Sequence, residues 1–190
     1  KAVSISRSGY TGEDGFEIST ASENAATLAR TLLDQADVKP AGLGARDSLR
    51  LEAGLCLYGQ DIDETTSPIE AGLSWTINDK RLEDGSFFGA KTIQNQFKRG
   101  TMRRLVGLVP EGRAPARPGV AILDQNNHKV GSVTSGSFGP TFGGPLALGY
   151  VPIALSKVDT ALKLQIRKSQ VSATVKTLPF VPHRYFSTKN

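Results

Sequence analysis

Three groups of residues in this chain have types and spacings that could do chemistry. The first is the run Gly9-Tyr10-Thr11-Gly12-Glu13-Asp14-Gly15 with Phe16-Glu17-Ile18 after it. Its three glycines exceed what a simple turn needs, and a backbone without Cβ atoms lets a ligand approach closely. On an extended strand Phe16 and Ile18 share one face and Glu17 takes the other. If the apolar face is core, Glu17 faces either solvent or a pocket. The second group is Arg46 and Arg50, four apart and so on one face of a helix. They serve either salt bridges to neighbours such as Asp47 and Glu52 or an anionic ligand. The third is the aromatic and basic end Pro182-His183-Arg184-Tyr185-Phe186, which follows the apolar anchor Leu178-Pro179-Phe180-Val181. It is either a clamp on the chain end or a ligand contact. These groups suit a pocket for an anion or a heterocycle, and the residues alone do not name the substrate.

Other chemistries find no support. Cys56 is the one cysteine and lies in the apolar run Leu55-Cys56-Leu57-Tyr58, which reads as a buried structural thiol. Without a second cysteine no internal disulfide forms, which suits a reducing compartment. The histidines, His128 and His183, fall in turn-like or terminal sequence, and so few ligands argue against zinc. Phosphate-cradling, dinucleotide-binding and nucleophile-elbow motifs are all missing. The glycine- and proline-rich residues 139–145 read as a turn.

Composition sets the class. The 190 residues are 38% hydrophobic and 22% charged, as in ordinary globular proteins. No apolar run reaches the roughly 18 residues of a membrane-spanning helix. The net charge of +5 favours acidic partners. The basic clusters Lys98-Arg99 and Arg103-Arg104 carry no interleaved aromatics, so a solvated face or the docking of an acidic protein is expected, and not nucleic acid. The chain opens Lys1-Ala2-Val3-Ser4-Ile5-Ser6 with neither an initiator methionine nor a signal pattern, as though within a strand. Residues upstream of Lys1 are therefore expected.

The elements that must position the three groups follow from periodicity. Residues 2–6 alternate as a half-buried strand and pair with 16–18 across the glycine-rich turn, where Asp14-Gly15 is a hairpin dipeptide. Thr20 and Glu23 have capping-box spacing ahead of an amphipathic helix over 24–36 that carries Leu28, Leu32 and Leu33. A second helix spans 43–54. An acidic loop over 61–68 leads to a segment, 69–77, with the one tryptophan, Trp75. Residues 89–97 form a short helix that ends in basic residues. From about Met102 the texture becomes all-β, with strands over 104–110, 119–123, 130–135, 146–151, 161–167 and 170–176. Short strands with Gly and Pro turns indicate an antiparallel sandwich or barrel.

Several of these stretches also resemble a known family. Residues Ser8-Gly9-Tyr10-Thr11-Gly12-Glu13-Asp14-Gly15-Phe16-Glu17-Ile18 resemble a signature of the glycine cleavage T-protein family, the aminomethyltransferases. So do Ala45-Arg46-Asp47-Ser48-Leu49-Arg50-Leu51-Glu52-Ala53-Gly54-Leu55 and Leu57-Tyr58-Gly59-Gln60-Asp61-Ile62-Asp63-Glu64. Residues 130–136 and 147–151 are similar to the family's C-terminal domain, and Pro179-Phe180-Val181-Pro182 to its ending. The matches run in family order along the whole chain. Dimethylglycine and sarcosine dehydrogenases and a folate-binding iron–sulfur assembly factor share parts of the pattern, which keeps a folate-linked dehydrogenase domain or a non-catalytic folate module as alternatives.

The resemblance implies an α+β remainder of a folate-binding core over 1–97 and an antiparallel β-barrel of six or seven strands over 98–190. It implies transfer of the methylene carbon from an aminomethyl group, carried on the lipoyl arm of the H protein, to tetrahydrofolate as co-substrate, with release of ammonia. Glu17 matches the family's folate-contacting glutamate. Arg46 and Tyr185 match substrate contacts, and Tyr10 is expected to line the same pocket. The family's catalytic aspartate lies in a half without counterpart here, so the chain alone is expected to be inactive. The implied compartment is the bacterial cytoplasm, or the mitochondrial matrix in a eukaryote.

Overall fold

Local signals explain most of the elements. The structure, a computed structural model, describes residues 3–187; the expected strand's start at Ala2 lies outside them. Strands β1 (Val3–Ser6) and β2 (Glu17–Thr20) pair antiparallel from Val3 opposite Thr20 to Ser6 opposite Glu17. Phe16, expected in the second strand, falls outside β2, in the loop 7–16 that contains the expected glycine-rich turn. Helix α1 (Ser22–Leu33) follows, with Ala21 as its N-cap and no side-chain cap. The expected capping box of Thr20 and Glu23 does not form, because the β ladder holds Thr20 opposite Val3. None of the residues of α1 is buried, and Leu32 and Leu33 are exposed. Helix α2 (Leu43–Glu52) ends in Arg50, Leu51 and Glu52, all buried.

The segment holding Trp75 is turns and a single 3₁₀ turn, Ser74–Thr76, and Trp75 is exposed. A short helix α3 (Asp79–Asp84), which periodicity does not signal, starts at Asn78, whose side chain accepts from the Lys80 N–H. It stops at Gly85 in the left-handed conformation. Helix α4 (Ala90–Arg99) places Lys98 and Arg99 in its last turn, where cations complement the helix dipole.

The rest is a closed antiparallel barrel of six strands: β3 (Arg103–Pro110), β4 (Ala121–Leu123), β5 (Lys129–Gly139), β6 (Gly144–Pro152), β7 (Ala161–Ile166) and β8 (Ser169–Lys176). Their order around the barrel is β3-β6-β5-β4-β7-β8, and β8 returns to β3. Strand β5 continues to Gly139, so the expected turn over 139–145 narrows to its middle. The interior is filled by Val106, Leu108, Ile122, Val133, Leu164, Val175 and their neighbours.

Strand β6 is buried on both faces. Ala147 and Val151 face the interior, while Leu146, Leu148 and Tyr150 pack outward with Leu51 of α2. Leu178 and Phe180 of the C-terminal segment join that outer cluster. This double burial is why the β6 sequence reads as a continuous apolar run. It fastens α2 and the chain end to the outside of the barrel.

Candidate functional site

The loop 7–16 and the chain end are held as one unit. The Arg184 N–H donates to the Gly12 carbonyl at 2.8 Å, and the Asp14 N–H donates to the Arg184 carbonyl at 3.2 Å. The Arg184 guanidinium grips the Glu13 carboxylate in two-pronged fashion, at 2.5 to 3.0 Å. Arg7 binds Asp14 through two bonds of 2.9 and 2.6 Å and lies 3.8 Å over the Phe186 ring. That hydrogen bonding from Arg7 holds the Asp14 carboxyl below its ordinary range. Gly12 is required here. Its φ is +76°, and a Cβ would come within 2.8 Å of the Ala53 Cβ. The chain end is thus fastened to the loop by backbone and side-chain bonds.

Of the four candidate contacts two touch each other, and the other two, Tyr185 and Glu17, each contact a different neighbour. The Arg46 guanidinium lies 4.9 Å over the Tyr10 ring, a cation–π contact. The Tyr10 hydroxyl donates to the Cys56 carbonyl, and burial raises its pKa. Tyr185 packs on the His183 ring at 4.9 Å, and His183 Nε2 bonds the Ala53 carbonyl at 2.8 Å. Glu17 accepts from the Ser8 hydroxyl at 2.6 Å. Among the described residues Glu17 makes no ion pair with Arg46. A cavity of about 310 Å³ has Tyr185 and Ser8 in its lining, with Arg7, Gly9 and Phe186. Tyr185 also borders a larger cavity of about 830 Å³, which contains Cys56, Trp75 and Arg104.

Arg46 and Arg50 differ more than their spacing suggests. Arg46 is exposed, while Arg50 is 2% exposed and bonds Asp61 at 2.6 Å. Arg50 also donates to Asp47 at 2.8 and 2.9 Å and to Ser135 at 2.9 Å. So the salt-bridge reading holds for Arg50 with Asp47, and Glu52 takes no part. Asp61, read as part of a polar loop, is 1% exposed and takes the Leu57 N–H and the Ser135 and Thr134 hydroxyls. Sequence reasoning missed Asp61, Ser135, Ser8 and the contact between His183 and Tyr185. A partner for Arg50 had to lie somewhere, but nothing local pointed 11 residues ahead and across to the barrel.

Cys56 is half-buried. Burial and the neighbouring Asp61 push its thiol up to about 11, which keeps it protonated at neutral pH. Among the described residues no group of three or more His, Cys, Asp or Glu could hold a metal ion, and no helix is long and apolar enough to cross a membrane. Of the four candidate residues Tyr185 borders the cavities described, whereas Glu17, Arg46 and Tyr10 lie outside their linings.

Comparison with known proteins decides the family. Residues 1–81 match the family model described as the GCVT N-terminal domain, and 103–182 match the glycine cleavage T-protein C-terminal barrel domain. The chain belongs to the glycine cleavage T-protein family. It is 50% identical over 97% of its length to mitochondrial aminomethyltransferase from Gallus gallus, and 49% identical over 97% to that from Homo sapiens. The crystal structure of glycine cleavage system aminomethyltransferase T from Bartonella henselae matches with a TM-score of 0.95 and 46% identity, over 97% of this chain and 51% of that one. The chain spans about half the length of the curated relatives it matches (47% and 46% for the two named).

Proposed function

We propose that this chain forms part of a tetrahydrofolate-dependent aminomethyltransferase. In the reaction the C–S bond of an aminomethyl group on the lipoyl arm of an H protein breaks, and the methylene carbon joins tetrahydrofolate. Ammonia leaves, and the sulfur departs as the reduced dihydrolipoyl thiol. The observation that carries this reading is the gathering of Tyr10 with Arg46, and of Tyr185 with the Ser8 that holds Glu17, in a chain of this family.

Glu17 would grip the donor-rich amino-pyrimidine edge of the pterin with two parallel hydrogen bonds. Arg46 would hold an anionic group of the folate, with Tyr10 beneath it keeping the guanidinium in place. Tyr185 would close the pocket wall. Such a site works by near-attack positioning. A carboxylate that manages the proton is supplied, on this reading, by the family aspartate without counterpart here. The division into a core portion, 1–97, and a barrel portion, 98–190, belongs to the same proposal. So does the compartment, the bacterial cytoplasm or, in a eukaryote, the mitochondrial matrix.

Calorimetric titration of tetrahydrofolate tests the reading, with this chain and with Glu17→Ala. The expected result is binding that the substitution weakens by about a hundredfold, near the 3 kcal/mol upper end for a hydrogen bond to a charged group. Binding of equal strength to both forms would remove Glu17 from the site. Absence of folate binding by the full-length protein would sink the function.

A further inference from the structure

The end of α2 holds a charged group whose surroundings leave one demand unmet. Glu52 is 2% exposed. Its Oε1 accepts the Thr141 N–H at 2.7 Å and the Phe142 N–H at 2.8 Å, which ties α2 to the turn between β5 and β6. Its backbone carbonyl accepts the Val181 N–H at 3.0 Å, which ties the same residue to the chain end. Its other carboxylate oxygen, Oε2, is buried and meets no protein donor. A carboxylate only accepts, and a buried charged oxygen without a donor is strongly disfavoured.

Glu52 also lines a cavity of about 10 Å³, together with Thr11, Gly12, Ala53, Val181 and Pro182. That volume is close to the size of one water molecule and too small for any larger donor.

We propose that this cavity is a binding site for a single water molecule, which donates one hydrogen to Glu52 Oε2. Its other hydrogen goes to a backbone carbonyl of the lining, of which Thr11, Gly12 and Pro182 each carry one. The water joins α2, the loop 7–16 and the chain end at the point where they converge. It complements the direct link from the Arg184 N–H to the Gly12 carbonyl. A hard cation fits this place poorly. Calcium takes six to eight oxygens, and among the described residues no group of three or more acidic, His or Cys side chains could hold a metal. The site is independent of the folate reading, because it depends on burial and donor count alone.

A crystal structure at a resolution that shows ordered solvent tests it directly. The expected result is one isolated peak within about 3 Å of Glu52 Oε2, the usual reach of an O–H···O bond. Empty density, or a Glu52 side chain turned so that Oε2 meets a protein donor, would overturn the proposal. So would several oxygen contacts at about 2.3–2.6 Å, the mark of a cation. Solution NMR supplies the second measurement: the Phe142 amide proton should show Overhauser contact to water of the sign given by long-lived, immobilised solvent. The sign of fast surface hydration at that amide would also overturn it.

Discussion

Arg50 and Asp61 face each other at 2.6 Å, with both side chains sealed from solvent. The pair joins α2 to the loop after it, and Ser135, bonded to both, extends the join to β5. A buried ion pair of this kind gives modest net stability, yet removal of one partner strands the other. Asp61→Asn should lower the unfolding free energy by about 3–5 kcal/mol, read from urea denaturation. Arg50→Met should do likewise. The double variant Arg50→Met with Asp61→Asn should cost much less than the sum of the singles, because neither charge is then left alone. Additive losses would show that the two residues act separately.

Cys56 predicts a pH dependence. Its thiol stands at about 11 in the folded chain against 9.0 for the free group. The native state therefore keeps a proton that the unfolded chain sheds, and stability must fall as pH rises from about 9 through about 11. The contribution is fully present below pH 9. Cys56→Ser should flatten that part of the profile. Alkylation of the native chain at pH 8 should be slower than that of the urea-unfolded chain; equal rates would contradict the burial.

Gly12→Ala introduces a Cβ at a positive φ, with the Ala53 Cβ 2.8 Å away. Strain and overpacking together should cost about 1–3 kcal/mol. The displaced loop carries Tyr10 and leads into Glu17 at the start of β2. Folate affinity of the full-length protein should therefore drop along with the melting temperature. A stable variant with undiminished affinity would mean that the loop does not set the pocket.

The pair Glu13 and Arg184 has a shorter contact, 2.5 Å, yet a smaller expected effect, because it lies at the surface. Arg184→Ala should change stability by less than about 1 kcal/mol, and the difference should shrink in added salt. The backbone bonds between residue 184 and the loop survive the substitution. A loss above about 2 kcal/mol would mean that the side chain, and not the backbone, holds the tail.

The strands are legible because they are short and bounded by turn residues, most of them apolar at alternate positions and β6 a continuous apolar run. Periodicity locates the six barrel strands within a few residues, apart from the extension of β5 to Gly139. Helices α1, α2 and α4 are legible from spacing, whereas α3 is not, since six residues leave too little periodicity. The capping box fails for a nonlocal reason: Thr20 belongs to a strand pair, and the ladder outranks the local motif. The apolar stripe of α1 announces a buried face that this chain does not bury. A stripe reports what a helix would cover, not what lies against it.

The candidate contacts divide in the same way. Glu17, Arg46, Tyr185 and Tyr10 stand out as residue types within motifs, and the family likeness is readable because those motifs are contiguous. By itself the sequence determined local conformation, a series of short strands suited to a sandwich or a barrel, and the likeness to the family, all of which rest on near neighbours and runs of residues. Only the tertiary structure decided that Arg46 lies over Tyr10 while Arg50 is buried against Asp61, and that the tail locks onto the loop 7–16. It alone showed that Glu52 has one oxygen without a protein donor. Those outcomes depend on chain segments tens of residues apart meeting at one point, where burial changes the cost of each charge. No spacing along the chain encodes that cost.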